Sequence, residues 1–149
     1  MLEVLNSKYD ENNLPFNVIV PSLPGYCYSN GPPLDRDFTV EDIAKVMDKL
    51  MRGLGFDAYI AQGGDIGSFV TRVLAVTSPA CKAAHINLCI GVFPDDDNEL
   101  KGLNAKDQKA VSRAGDFANL GSAYAREHGT RPSTIGLVLS SSPIALLAW

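Results

Sequence analysis

The most reactive arrangement in the 149-residue chain is Gly63-Gly64-Asp65-Ile66-Gly67, set between an apolar run, Ala58-Tyr59-Ile60-Ala61, and a helix-forming stretch. A small-x-nucleophile-x-small pattern at a strand-to-helix junction makes a nucleophile elbow. The turn is tight, so side chains at Gly63 and Gly67 are expected to collide with neighbouring backbone, which calls for glycine at both. Asp65 is thereby pushed out above the sheet, at a helix start whose N–H groups and dipole favour negative charge. A carboxylate is ionised at neutral pH and needs no base to become a nucleophile. It can attack an electrophilic sp3 carbon to give an alkyl-enzyme ester, which activated water must then hydrolyse. The N–H of Ile66 could supply half of an oxyanion hole for that step. The same residues also suit a plain glycine-rich turn in which Asp65 caps the helix, and on these five alone both readings stand. Neither G-x-G-x-x-G nor G-x-x-x-x-G-K-[ST] fits over residues 63–68, which excludes the phosphate-cradling loops.

Other reactive side chains read as structural. His85 falls within a strand, as a packed or edge histidine. His128, four residues after Tyr124, can share a helix face with it but has no motif. Asp95-Asp96-Asp97-Asn98-Glu99 invites calcium, yet Leu100 stands where the loop pattern wants glycine, so a solvated connection is expected. Cys27, Cys81 and Cys89 show neither CxxC nor metal-ligand spacing and read as free, mostly buried thiols. No metal and no cofactor is expected.

The elements that must position Asp65 follow from hydrophobic spacing. Residues 1–14 are polar and turn-rich, a loose lead-in. Phe16 to Val20 reads as a strand stopped by Pro21. Pro21 to Pro33, with four prolines and two glycines, is a shaped loop. Thr39 caps a helix with Glu41 and Asp42 in its first turn. Ile43, Val46, Met47, Leu50, Met51 and Leu54 form its buried stripe, and Gly53 and Gly55 end it. A second strand leads into the elbow, a helix follows to Ser78-Pro79, and Ala83 to Ile90 makes a third strand. This order implies α/β architecture: about three parallel strands with helices on both faces. After Gly91 an acidic connection and a polar helical stretch, about Ala105 to His128, lead to helix starts at Thr130-Arg131-Pro132 and Ser142-Pro143. Two parts are expected: an α/β core over residues 1–91, and a connecting loop with the start of a helical cap over 92–149.

Composition narrows the function classes. With 46% hydrophobic and 20% charged residues, a packed core is expected rather than disorder. A net charge of -4 with only 13 Lys and Arg argues against nucleic acid as a partner. No run reaches the roughly 18 apolar residues that span a bilayer. With no signal-peptide pattern and an odd cysteine count, a cytoplasmic location is expected.

Four segments in order resemble the epoxide hydrolases of the microsomal type, most closely the soluble fungal enzymes of the α/β-hydrolase fold. They are Pro21-Ser22-Leu23-Pro24-Gly25-Tyr26, Gly63-Gly64-Asp65-Ile66-Gly67-Ser68, Thr130-Arg131-Pro132-Ser133-Thr134 and Ser142-Pro143-Ile144-Ala145-Leu146-Leu147-Ala148-Trp149. The resemblance covers nearly all the chain from about Pro15. It implies that Asp65 opens an epoxide, that the Ile66 amide serves the oxyanion hole, and that Tyr124, six residues before Thr130, activates the oxirane oxygen. Read by itself, Tyr124 is a helix-packing aromatic. The implied partners are a small apolar epoxide and water. Ile66 lacks the side-chain donor that haloalkane dehalogenases carry after the nucleophile, and Asp at the nucleophile position disfavours serine-type esterases.

The chain departs from the family pattern in several ways. No His-Gly-x-Pro segment precedes the elbow, and neither His85 nor His128 matches the water-activating histidine. Ser141 and Ala145 stand for an expected Asp and Gly, as the fungal subgroup allows. The expectation is therefore a fragment with impaired turnover. The alternatives are a non-catalytic truncated product or interaction module, whose exposed strand edges allow a homodimer, and a dehalogenase-like or esterase-like hydrolase.

Overall fold

The computed structural model describes residues 2–10, 12–90 and 102–149. The acidic run 95–99 lies outside them. The chain divides into two compact units, Met1–Gly91 and Val92–Trp149.

In the first unit the expected loose lead-in contains a short helix, α1 (Leu2–Lys8), whose Glu3 and Lys8 complement the helix dipole at either end. Helix α2 (Val40–Gly53) begins at Thr39, whose N–H donates to Asp42 Oδ2 at 3.3 Å. It closes as the two glycines predict: Gly55, at φ +89, bonds Arg52 O while Phe56 N–H bonds Met51 O. These paired bonds satisfy carbonyls that the helix end leaves free. Strand β1 (Tyr59–Gly63) leads into α3 (Ile66–Thr77), and β2 (Cys81–Ile86) returns parallel to β1. Registers run from Tyr59 opposite Cys81 to Gly63 opposite Ile86, with a bulge after Tyr59.

The parallel β–α–β core matches expectation, but its sheet has two strands among the described residues rather than three. Phe16 to Val20 is not a strand: it has no ladder partner, and Phe16 and Val20 are largely exposed. β-Branched composition alone does not hold an extended segment without a neighbour. The last strand starts earlier and ends earlier than Ala83–Ile90, because β1 offers a partner only as far as Gly63.

The core joins Ala44 and Met47 of α2, Tyr59 and Ala61 of β1, and Val70 and Leu74 of α3. Burial alternates along β1, leaving Ile60 73% exposed, so both helices cover one face rather than two. The stripe of α2 is rotated accordingly. Ala44 is in it, whereas Val46 and Leu54 are exposed. Val46 and Leu50 instead line a groove with Pro21 and Pro24 of the shaped loop. The thiols are free but not mostly buried: Cys27 and Cys89 are exposed and Cys81 is half-buried.

The second unit is helical: α4 (Ala105–Asp116), a π-helical turn (Phe117–Gly121), α5 (Ala123–Thr130), α6 (Pro132–Ser141) and α7 (Pro143–Ala148). Asn104 caps α4 by accepting the Asp107 N–H at 3.0 Å, and Ser142 caps α7 by accepting that of Ala145 at 3.1 Å. Thr130 does not cap α6; its hydroxyl donates back to Arg126 O at 2.7 Å and finishes α5. Among the described residues, no helix is long and apolar enough to cross a membrane.

Candidate active site

Strand β1 ends at the elbow, and the carbonyl of Gly63 is held from two sides. The buried hydroxyl of Ser68 donates to it at 2.9 Å, and the Asn87 N–H donates at 3.4 Å. A Cβ on Gly63 would stand 2.0 Å from Gly67 O and 2.6 Å from Thr71 Oγ1, so glycine is required there. Gly67 differs from expectation. A Cβ added to it meets nothing within 4 Å, because it is the carbonyl of Gly67, not its side-chain position, that fills the crowded space. Gly64 is the second tight glycine, since its Cβ would lie 2.9 Å from both Nδ2 and Oδ1 of Asn87.

Between them Asp65 adopts φ 50 and ψ -124. A non-glycine residue in such a conformation costs about 1–3 kcal/mol and persists only where its surroundings enforce it. Its carbonyl accepts the Ser68 N–H at 2.9 Å, whereas its carboxylate is exposed and makes no capping hydrogen bond to α3. The helix-cap alternative for Asp65 therefore fails on geometry. Ile66 is the first residue of α3, so its N–H has no acceptor within the helix. The elbow thus presents a free carboxylate beside a free amide at the C-terminal end of a parallel strand, the end at which α/β sheets bind ligands.

In the second unit, Tyr124 lies on α5 and is 49% exposed. Its ring meets that of His128 edge-on, with centroids 6.0 Å apart, and His128 stacks on Trp149 at 5.4 Å. The shared helix face expected for Tyr124 and His128 is present. His85, opposite Gln62 in β2, is an exposed strand histidine.

A second polar cluster lies at the other end of β1. Asp48 of α2 accepts from Ser78 Oγ, from Tyr59 Oη at 2.8 Å and from Arg52. These bonds, that from Ser78 foremost, hold its carboxyl below the usual range, while burial pushes the Tyr59 phenol up to about 12. Being remote along β1 from the elbow, the cluster ties α2 to the sheet. Among the described residues no group of three or more His, Cys, Asp or Glu could hold a metal.

Ser68 and Asn87 were not predicted as parts of the elbow's support. The pattern of five covers only the turn, and Asn87 reaches it from the position just after β2, the strand beside β1. A polar residue just beyond a strand adjacent to the elbow strand is the signal that could have found it.

Comparison with known proteins agrees with this geometry. Residues 4–138 match the model of the α/β hydrolase fold. The solved structure of Aspergillus niger epoxide hydrolase is 54% identical with a TM-score of 0.85, covering 99% of this chain and 39% of that one. Juvenile hormone epoxide hydrolase from the silkworm Bombyx mori is 25% identical with a TM-score of 0.64, covering 86% and 33%. A Dothistroma septosporum protein, provisionally named an epoxide hydrolase, is 47% identical over 100% of this chain and 35% of its own length. The chain thus spans about a third of the curated relatives it matches. With the family model covering most of its residues and the elbow built as that fold requires, the chain belongs to the α/β-hydrolase fold family.

Proposed function

We propose that the chain carries the nucleophile of an epoxide hydrolase. The observation that carries this reading is Asp65, held at φ 50 with its carboxylate exposed and uncapped beside the Ile66 amide. In the first step a carboxylate oxygen of Asp65 bonds to one ring carbon as that carbon's bond to the oxirane oxygen breaks. Tyr124, assigned by its spacing to Thr130, supplies the proton to that oxygen, since a ring-opening alkoxide needs an acid. In the second step water adds to the ester carbonyl of Asp65, with the Ile66 N–H stabilising the oxyanion. The diol leaves, the carboxylate is restored, and the proton released returns to Tyr124. The similarity to the Aspergillus niger enzyme at 54% identity supports this choice of substrate class. Ile66 offers no side-chain donor to a halide, which disfavours dehalogenation.

Neither histidine matches the family's water-activating base, so in the 149-residue chain the ester is expected to outlast its formation. Incubation with styrene oxide followed by intact-mass and peptide analysis tests this. The expected result is one adduct at Asp65, absent from Asp65→Asn. Sustained diol release would overturn the expected impairment, and labelling that persists in Asp65→Asn would overturn the nucleophile. A cytoplasmic setting is proposed on the three free thiols, and sedimentation velocity tests the proposed homodimer.

A further inference from the structure

Asn87 directly follows β2, beside the point at which β1 turns into Asp65. Its backbone N–H bonds Gly63 O. Its carboxamide turns both polar atoms toward the Cα of Gly64, each 2.9 Å from where a Cβ would stand, with Cγ slightly farther at 3.2 Å. Among the described residues that carboxamide makes no hydrogen bond, and Asn87 is exposed. The residue it stands beside is the one before Asp65. Relaxing φ 50 toward an ordinary value requires the chain at residues 64 and 65 to shift, and the Asn87 carboxamide stands on the side of Gly64 where a Cβ would be. Ser68 secures the far side of the turn, through its N–H to Asp65 O and its hydroxyl to Gly63 O. The three atoms nearest to where a Cβ on Gly64 would stand all belong to Asn87.

We propose that Asn87 is a positioning residue for Asp65: its carboxamide, packed on Gly64, blocks relaxation of the elbow and keeps the carboxylate raised. The proposal rests on Asp65 being the nucleophile, and it concerns shape rather than hydrogen bonding. A side chain of similar outline therefore substitutes for asparagine, and a shorter one does not.

The test uses the full 149-residue chain with styrene oxide as probe. Asn87→Ala is expected to alkylate at Asp65 about tenfold more slowly, and Asn87→Leu within about threefold of the parent. Gly64→Ala, which displaces the carboxamide, slows alkylation about as much, and adding Asn87→Ala to it causes no further loss. Hydrogen exchange at the Ser68 amide rises about tenfold in Asn87→Ala but not in Asn87→Leu, while the core amide of Leu74 stays protected in both. Alkylation by Asn87→Ala at the parent rate, or Asn87→Leu as slow as Asn87→Ala, overturns the proposal. If the parent chain takes no label, the assignment of Asp65 as nucleophile fails instead. Exchange at Ser68 then judges Asn87 alone, and an unchanged rate in Asn87→Ala overturns its hold on the elbow.

Discussion

Asp65 carries a backbone cost that a glycine in its place would not. Its φ of 50 is a backbone state that glycine enters freely and aspartate does not. Asp65→Gly is therefore expected to stabilise the chain by about 1 kcal/mol, read as a higher urea midpoint, while abolishing the styrene oxide adduct. Loss of stability in that variant would mean that the carboxylate contributes to the fold. The residue's type and place were legible in five letters, because tight turns tolerate few side chains. Whether it capped the helix was not legible, since capping and presentation use the same residue at the same position. The choice depends on φ and ψ, which are imposed by Gly63, Ser68 and Gly64 together.

The elbow, taken as an element, separates two glycines that look alike in sequence. Gly63→Ala places a methyl group 2.0 Å from Gly67 O, with backbone on the other side of the clash. A loss of about 3 kcal/mol or more is expected, measurable in the thermal midpoint. Gly67→Ala meets open space within α3 and is expected to be neutral or stabilising by about 0.5 kcal/mol. Equal losses in the two variants would contradict the turn as described. Helices α2, α3, α6 and α7 were legible because caps, glycine stops and Pro at the first turn are local signals. The strand expected at Phe16–Val20 failed for the opposite reason. A strand is completed by a partner elsewhere in the chain, and no local spacing reports whether that partner is there. The stripe of α2 was misplaced by part of a turn because the shaped loop takes Val46 and Leu50 for its own groove.

At the scale of the whole chain, acid and alkali should loosen the first unit through the same cluster. The Asp48 carboxyl titrates below its ordinary value because Ser78, Tyr59 and Arg52 bond its charged form. The native state then binds fewer protons than the unfolded one, so this stability is present above pH about 4 and is lost as pH falls through the native value. Tyr59 has the opposite sign. Burial keeps it protonated up to about 12, whereas the unfolded phenol ionises near 10.0, so stability declines as pH rises between those values. Urea midpoints across pH should fall on both sides; Asp48→Asn flattens the acid limb and Tyr59→Phe the alkaline one. An acid limb unchanged in Asp48→Asn would remove the cluster from the account. The stack of His128 on Trp149 has a practical consequence as well. Trp149 is the sole tryptophan, and the imidazole it touches lies one helical turn from Tyr124. Its fluorescence is therefore a label already in place: an emission that shifts when an apolar molecule settles against Tyr124 would report occupancy of the second unit without any added dye.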